Sequence, residues 1–206
     1  QQARIRDKIE TGLRMVLDHG AYIMGPEIAA LEARLGDWTG ATHNITCSSG
    51  TDALLLTLMG LELKAGQGVI VPSFTFAASA EVIPCMGAIP VFAEIEGNSF
   101  NLNPEKLPAA LAAGKKVGID VVGIIGVGLF GQPANYAAIK TFANDNGLWL
   151  VDDAAQSFGA ALNDQPVGQL ADVTCTSFFP AKPLGAYGDG GAVFTDNDRV
   201  ADIIRS

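Results

Sequence analysis

Residues 44–61 read Asn-Ile-Thr-Cys-Ser-Ser-Gly-Thr-Asp-Ala-Leu-Leu-Leu-Thr-Leu-Met-Gly-Leu. A short apolar, β-branched run gives way at Ser48-Ser49-Gly50 to a helix-period run. The stretch predicts a strand over Asn44–Cys47, a tight turn of small residues and a helix over Thr51–Leu61. The same unit recurs along the chain. Further strands are expected over Val69–Val71, Ile89–Phe92, Val121–Ile125, Leu148–Val151, Val173–Phe178 and Ala192–Thr195. Further helices are expected over Arg4–Asp18, Pro26–Trp38, Ala77–Cys85, Pro104–Ala112, Asn135–Asn144 and Asn197–Arg205. Pro26 and Pro104 suit a first helical position, and Asn103 suits a cap. Such alternation favours an α/β fold, with a mainly parallel seven-stranded sheet and helices on both faces. No linker or internal repeat interrupts it, so 1–206 reads as one domain.

With 206 residues and 49% hydrophobic content, the chain has enough apolar material for one sizeable core. The net charge is -9, and Lys115-Lys116 is the only basic cluster, so nucleic acid and acidic membranes are poor partners. No apolar run reaches the roughly 20 residues of a membrane span, and no signal peptide opens the chain, so a cytoplasmic location is expected. Cys47, Cys85 and Cys175 are far apart and read as reduced, mostly buried thiols. With only His19 and His43, a histidine-rich metal site has no support. The chain opens without methionine and stops at Ser206 inside a helical segment, so a longer parent protein is expected.

In such sheets ligands bind beyond the carboxyl ends of the strands, which directs attention to the turn after each strand. After the first strand, Ser49-Gly50-Thr51 opens a helix whose first amides lack internal partners and suit a phosphate. An ordinary helix cap is the competing reading. After the second strand, Phe74 and Phe76 can stack on a flat ring or simply pack in the core. The fifth strand ends in Asp152-Asp153, two acids that need partners if buried; a protonated ring nitrogen is one such partner. The sixth leads to Lys182, the only cation in residues 142–198, an interval that holds eight aspartates. It sits among Phe, Pro, Ala and Leu, where desolvation favours the free amine that attacks a carbonyl. Neutralising a nearby aspartate is the alternative. Gly188-Asp189-Gly190-Gly191 then allows backbone to approach the site.

One competing fingerprint stands out. Gly126-Val-Gly128-Leu-Phe-Gly131 fits the dinucleotide pattern G-x-G-x-x-G, with Asp152 about 20 residues further on. Against it, Gln132 and Pro133 delay the next helix, and Lys182 is left without a role.

Together these segments resemble the DegT-type nucleotide-sugar aminotransferases, a branch of the fold-type I pyridoxal-phosphate (PLP) enzymes. The likeness runs through Tyr22–Glu27, Ser49–Leu54, Pro72–Phe76, Gly131–Ala134, Asp153–Ser157, Ser177–Lys182 and Gly188–Gly191. It implies that the chain is the PLP-binding large domain of such an enzyme, with the small carboxy-terminal domain absent. It implies Lys182 as the lysine that binds the cofactor aldehyde and later moves the proton. Asp153 becomes the partner of the pyridine nitrogen, Gln156 the neighbour of the phenolic oxygen and Phe76 the stacking aromatic. Gly50, Thr51 and Ser177 become the phosphate cup. The implied partners are L-glutamate as amino donor and a UDP- or dTDP-linked keto-sugar as acceptor. The implied assembly is a homodimer with shared active sites, and the implied pathway is lipopolysaccharide or other amino-sugar biosynthesis. The closest look is to enzymes that aminate UDP-2-acetamido-2-deoxy-3-keto-glucuronate. Departures are Gly128, where many relatives carry histidine or aspartate, and Pro183, where many carry asparagine. The remaining alternatives are a non-catalytic regulatory protein that keeps the site, a dehydratase of the same fold, and an NAD-binding enzyme. Dehydratases of this kind replace the lysine with histidine, which Lys182 argues against.

Overall fold

The structure, a computed structural model, describes residues 2–206. Seven strands form one sheet: β1 His43–Cys47, β2 Gly68–Pro72, β3 Ile89–Ala93, β4 Val121–Val127, β5 Trp149–Asp153, β8 Val173–Ser177 and β9 Gly191–Thr195. Between β5 and β8 lie β6, Ala161–Leu162, and β7, Gln165–Pro166, which make a separate two-stranded hairpin. The helices are α1 Gln2–His19, α2 Pro26–Thr39, α3 Gly50–Gly60, α4 Ala78–Cys85, α5 Leu107–Lys116, α6 Tyr136–Asp145 and α7 Asp198–Arg205. The sheet order is β1-β9-β8-β5-β4-β2-β3. Pairing is parallel from β3 through β8, while β9 runs antiparallel to both β8 and β1. The strands β1, β2, β4, β5 and β8 therefore all point their carboxyl ends at one edge.

Strand periodicity sends alternate side chains into two cores. On one face Ile70, Ile124, Leu150 and Phe194 pack under α2, α5 and α6. On the other Val69, Val71, Ile125, Val151 and Val193 pack under α3, α4 and α7. Strands buried on both faces explain the continuous apolar runs. Each fully buried Leu or Ile contributes about 1.5–3 kcal/mol. Helix α1 is different: it buries no residue, and Leu13, Met15 and Leu17 stay exposed.

Element edges moved where local chemistry decides them. Asn103 accepts from the Glu105 amide, as its capping role requires, but Pro104–Lys106 is a 3-10 turn and the α-helix starts only at Leu107. Asn135 and Asn197 act as caps rather than helical residues. Cys85 is exposed, against the expectation of mostly buried thiols, whereas Cys175 is buried.

Candidate active site

Strand alternation resolves the adjacent acids. Asp152 shares the face of Leu150 and lies beneath α6, where the Tyr136 hydroxyl donates to its Oδ1. Asp153 shares the face of Val151, where Ser79 Oγ donates to its Oδ2 at 2.7 Å and the Ala155 amide donates to its Oδ1 at 3.2 Å. Burial raises the Asp153 pKa, while the Ser79 and Ala155 hydrogen bonds and the charge of Lys182 oppose the rise. A buried acid in this state favours a cationic neighbour.

Asp152 has the less comfortable position. It is fully buried, and its Oδ2 has no hydrogen-bond partner among the described residues. Burial, with a smaller push from the charge of Asp153, raises its pKa to about 7, against the Tyr136 hydrogen bond. The unfolded value is 3.8, so between these limits the folded chain holds a proton that the unfolded chain releases. Stability should therefore fall as pH rises from about 4 to about 7, by on the order of 4 kcal/mol at 1.36 kcal/mol per pKa decade. Asp152→Asn keeps an acceptor for Tyr136 and removes the titration. It should match the parent near pH 4 and exceed it at pH 8 in urea unfolding. A gap that does not widen with pH would contradict this account.

Helix α3 begins immediately beyond β1. The Ser49 side chain caps it: Ser49 Oγ accepts from the Asp52 amide at 3.0 Å and donates to the Asp52 carboxylate at 2.9 Å. That hydroxyl is committed to capping, which settles its role in favour of the cap. The amides of Gly50 and Thr51 find no acceptor among the described residues and are left to a ligand. A Cβ on Gly50 would lie 2.6 Å from the Ser177 Cβ, so only glycine lets the helix start approach the end of β8 this closely. Ser177 Oγ accepts from the Phe179 amide at 3.2 Å, which leaves its proton free to donate.

Residues 178–190 form a loop pinned at both ends. The Phe178 amide donates to the Gly190 carbonyl and the Ala186 amide to the Phe178 carbonyl, both at 2.7 Å. Lys182 rides on this loop, half-buried, with Nζ 5.7 Å from the Phe76 ring centroid. Across the opening, Gln156 Oε1 accepts from the Phe130 amide at 2.8 Å, leaving the Nε2 end available as a donor.

All seven residues expected at the site, Gly50, Thr51, Phe76, Asp153, Gln156, Ser177 and Lys182, line one cavity of about 830 Å³. Phe179 and Asp189, from the stretches that flank Lys182, also line it, as does Phe130, to which the sequence did not point. Nor did it point to Ser79, which reaches Asp153 from α4; its spacing four residues after Thr75, at a helix start, was the available signal. The cavity suits a flat, phosphorylated, cationic ring bearing a carbonyl. For such a ring the free amides and the Ser177 hydroxyl could hold the phosphate, Phe76 could cover a ring face, Asp153 could pair with the ring cation and Lys182 could reach the carbonyl. The volume leaves space for a second molecule beside such a ring.

The dinucleotide pattern finds no such support. A Cβ on Gly126 would lie 2.8 Å from the Tyr136 ring, and one on Gly128 would lie 2.1 Å from Ser157 Oγ. Those glycines make room for side chains rather than for a pyrophosphate. Helix α6 starts only at Tyr136, beyond the pattern, and Asp152 is sealed from solvent where a ribose contact would need it exposed.

Residues 3–206 match the DegT/DnrJ/EryC1/StrS aminotransferase family. The chain is 48% identical over 205 residues to UDP-2-acetamido-2-deoxy-3-oxo-D-glucuronate aminotransferase of Pseudomonas aeruginosa, covering 100% of this chain and 55% of that protein. The crystal structure of a DegT DnrJ EryC1 StrS aminotransferase from Brucella abortus has a TM-score of 0.97 at 46% identity, covering 100% of this chain and 56% of that one. The crystal structure of ntda from Bacillus subtilis with bound cofactor PMP has a TM-score of 0.89 at 31% identity, covering 99% and 44%. The chain spans about half the length of the curated relatives it matches. The family match over nearly its whole length agrees with the sheet order and the strand-end cavity: the chain belongs to the DegT/DnrJ/EryC1/StrS aminotransferase family.

Proposed function

We propose that this chain is the cofactor-binding domain of a PLP-dependent aminotransferase that moves an amino group from L-glutamate to a nucleotide-linked keto-sugar. The observation that carries the reading is Lys182, the one lysine of the cavity wall, set opposite the buried Asp153 with the open start of α3 beside it. The relatives' activities support a UDP-linked 3-keto sugar as the acceptor.

Bound PLP would supply an electron sink for the substrate carbon. The chain's residues supply the rest. Asp153 keeps the ring nitrogen protonated. Gly50, Thr51 and Ser177 hold the phosphate with backbone amides and one hydroxyl. Gln156 offers Nε2 to the phenolic oxygen. Phe76 covers one ring face. The Lys182 amine would bind the cofactor aldehyde and would move the proton at the substrate carbon.

We place this protein in the cytoplasm as a homodimer with shared active sites, serving lipopolysaccharide or related amino-sugar biosynthesis. No helix of the described residues is long and apolar enough to cross a membrane. Exposed Tyr22, Ile23 and Met24, with the unburied α1, support a covering partner subunit.

The test uses the full-length gene product. Mixing with PLP should produce the visible absorption of a lysine-bound aldehyde cofactor, L-glutamate should bleach it, and a UDP-3-keto-sugar should restore it. Absence of the band, or indifference to glutamate, would sink the assignment.

A further inference from the structure

Ser79 is the second residue of α4 and is fully buried. It lies 74 positions from Asp153 in sequence, yet its hydroxyl donates to Asp153 Oδ2 at 2.7 Å. Thr75 Oγ1 lies 3.0 Å from the same hydroxyl. A serine has one proton to give, and an ionised carboxylate can only accept, so the direction is fixed: Thr75 donates to Ser79, and Ser79 donates to Asp153. The Ser79 amide donates to the Phe76 carbonyl at 3.1 Å. One buried residue therefore joins the wall carrying the stacking aromatic to the acid at the floor.

A carboxylate turns easily about its last torsion, which has broad, two-fold preferences. Asp153 is held on one oxygen by Ser79 and on the other by the Ala155 amide at 3.2 Å. The Ser79 contact is the shorter and, among the described residues, the only one made by a side chain. Each carboxylate oxygen has a second lone pair, so the tether leaves acceptor capacity for a ring N–H.

We propose that Ser79 is a positioning residue: it locks the Asp153 carboxylate and registers it with the Phe76 wall, and so sets how tightly the pyridine nitrogen is held. The inference rests on the PLP reading above. Ser79 does not touch the cofactor and acts only through Asp153. Its hydrogen bond also favours the ionised acid, so without it Asp153 takes up a proton at higher pH.

The experiment compares the full-length gene product with Ser79→Ala. Two probes are titrated from pH 5 to pH 9: PLP, and its carbon analogue in which a CH replaces the ring nitrogen. The parent should bind PLP more tightly than the analogue. Ser79→Ala should weaken PLP binding by about tenfold, leave the analogue within about twofold, and move the acid-side loss of PLP affinity to higher pH. Ser79→Thr, which keeps a hydroxyl, should recover the parent's preference for PLP over the analogue. Equal weakening of both probes by Ser79→Ala would make the role merely structural and overturn the proposal. Unchanged PLP binding in Ser79→Ala would overturn it as well. A parent that binds PLP no better than the analogue would remove Asp153 as the nitrogen's partner. A parent that binds neither would overturn the PLP reading itself, and the inference with it.

Discussion

Lys182→Ala is expected to lower amine transfer from L-glutamate by about 10⁴-fold, the upper end of what a positioned acid–base group supplies. Two losses combine. The amine that captures the carbonyl is gone, and so is the group that shuttles the proton. Lys182 is the only lysine or arginine among the cavity's lining residues, so no neighbour can substitute. The fold should survive: Lys182 is half-buried, its loop is pinned through backbone bonds of Phe178 and Ala186, and no salt bridge among the described residues involves it. The variant should therefore stay folded and lose about 1 kcal/mol, the usual cost of a point substitution, because the charge of Lys182 supports ionised Asp153. It should still retain PLP without the visible absorption of the lysine-bound form, because the phosphate and ring contacts persist. Steady-state turnover, a visible spectrum and a urea melt measure the three expectations. Turnover within tenfold of the parent would remove Lys182 from the chemistry.

Much of this arrangement is legible in the sequence because it is local. Strands β1, β5 and β8 run into the segments that carry site residues, so Gly50, Asp153 and Lys182 can be found by inspecting the ends of those apolar runs and the residues just past them. Buried parallel strands make those runs conspicuous, and Asn103 announces a cap by its residue type. Features decided by tertiary approach are not visible in this way. The two residues each of β6 and β7 are too few to show a period. The separation of Asp152 from Asp153 follows from strand parity, but only once it is known that both sheet faces are covered. Ser79 looks like any helix-start serine until α4 is laid against β5. The glycines at 126 and 128 imitate a dinucleotide loop because small residues serve close packing and phosphate approach alike; only the positions of Tyr136 and Ser157 separate the two uses.

Asp153→Asn separates charge from shape, and it should move stability and activity in opposite directions. The Ala155 amide loses its acceptor, but the amide oxygen still accepts from Ser79, so that tether and the packing survive. The negative charge does not, and an uncharged partner no longer holds the ring nitrogen protonated. Turnover should fall by about 10²- to 10³-fold, the range for removing one preorganised electrostatic group. Stability should change the other way. Burial is the largest influence on Asp153 and disfavours its charge, so near neutral pH the empty site bears a desolvation penalty that asparagine lacks. The cofactor-free variant should therefore melt above the cofactor-free parent at pH 8, and the difference should shrink as acid neutralises Asp153. Added PLP should reverse the order, because a ligand stabilises in proportion to its affinity and the parent binds it more tightly. Paired melts with and without PLP, alongside turnover, read out all three changes. A variant that loses activity and cofactor-free stability together would mark Asp153 as a structural support. One that keeps its activity would free the ring nitrogen from this acid altogether. The expected pattern, a site residue that weakens the empty fold and strengthens the loaded one, is what a buried carboxylate kept for a cation should produce.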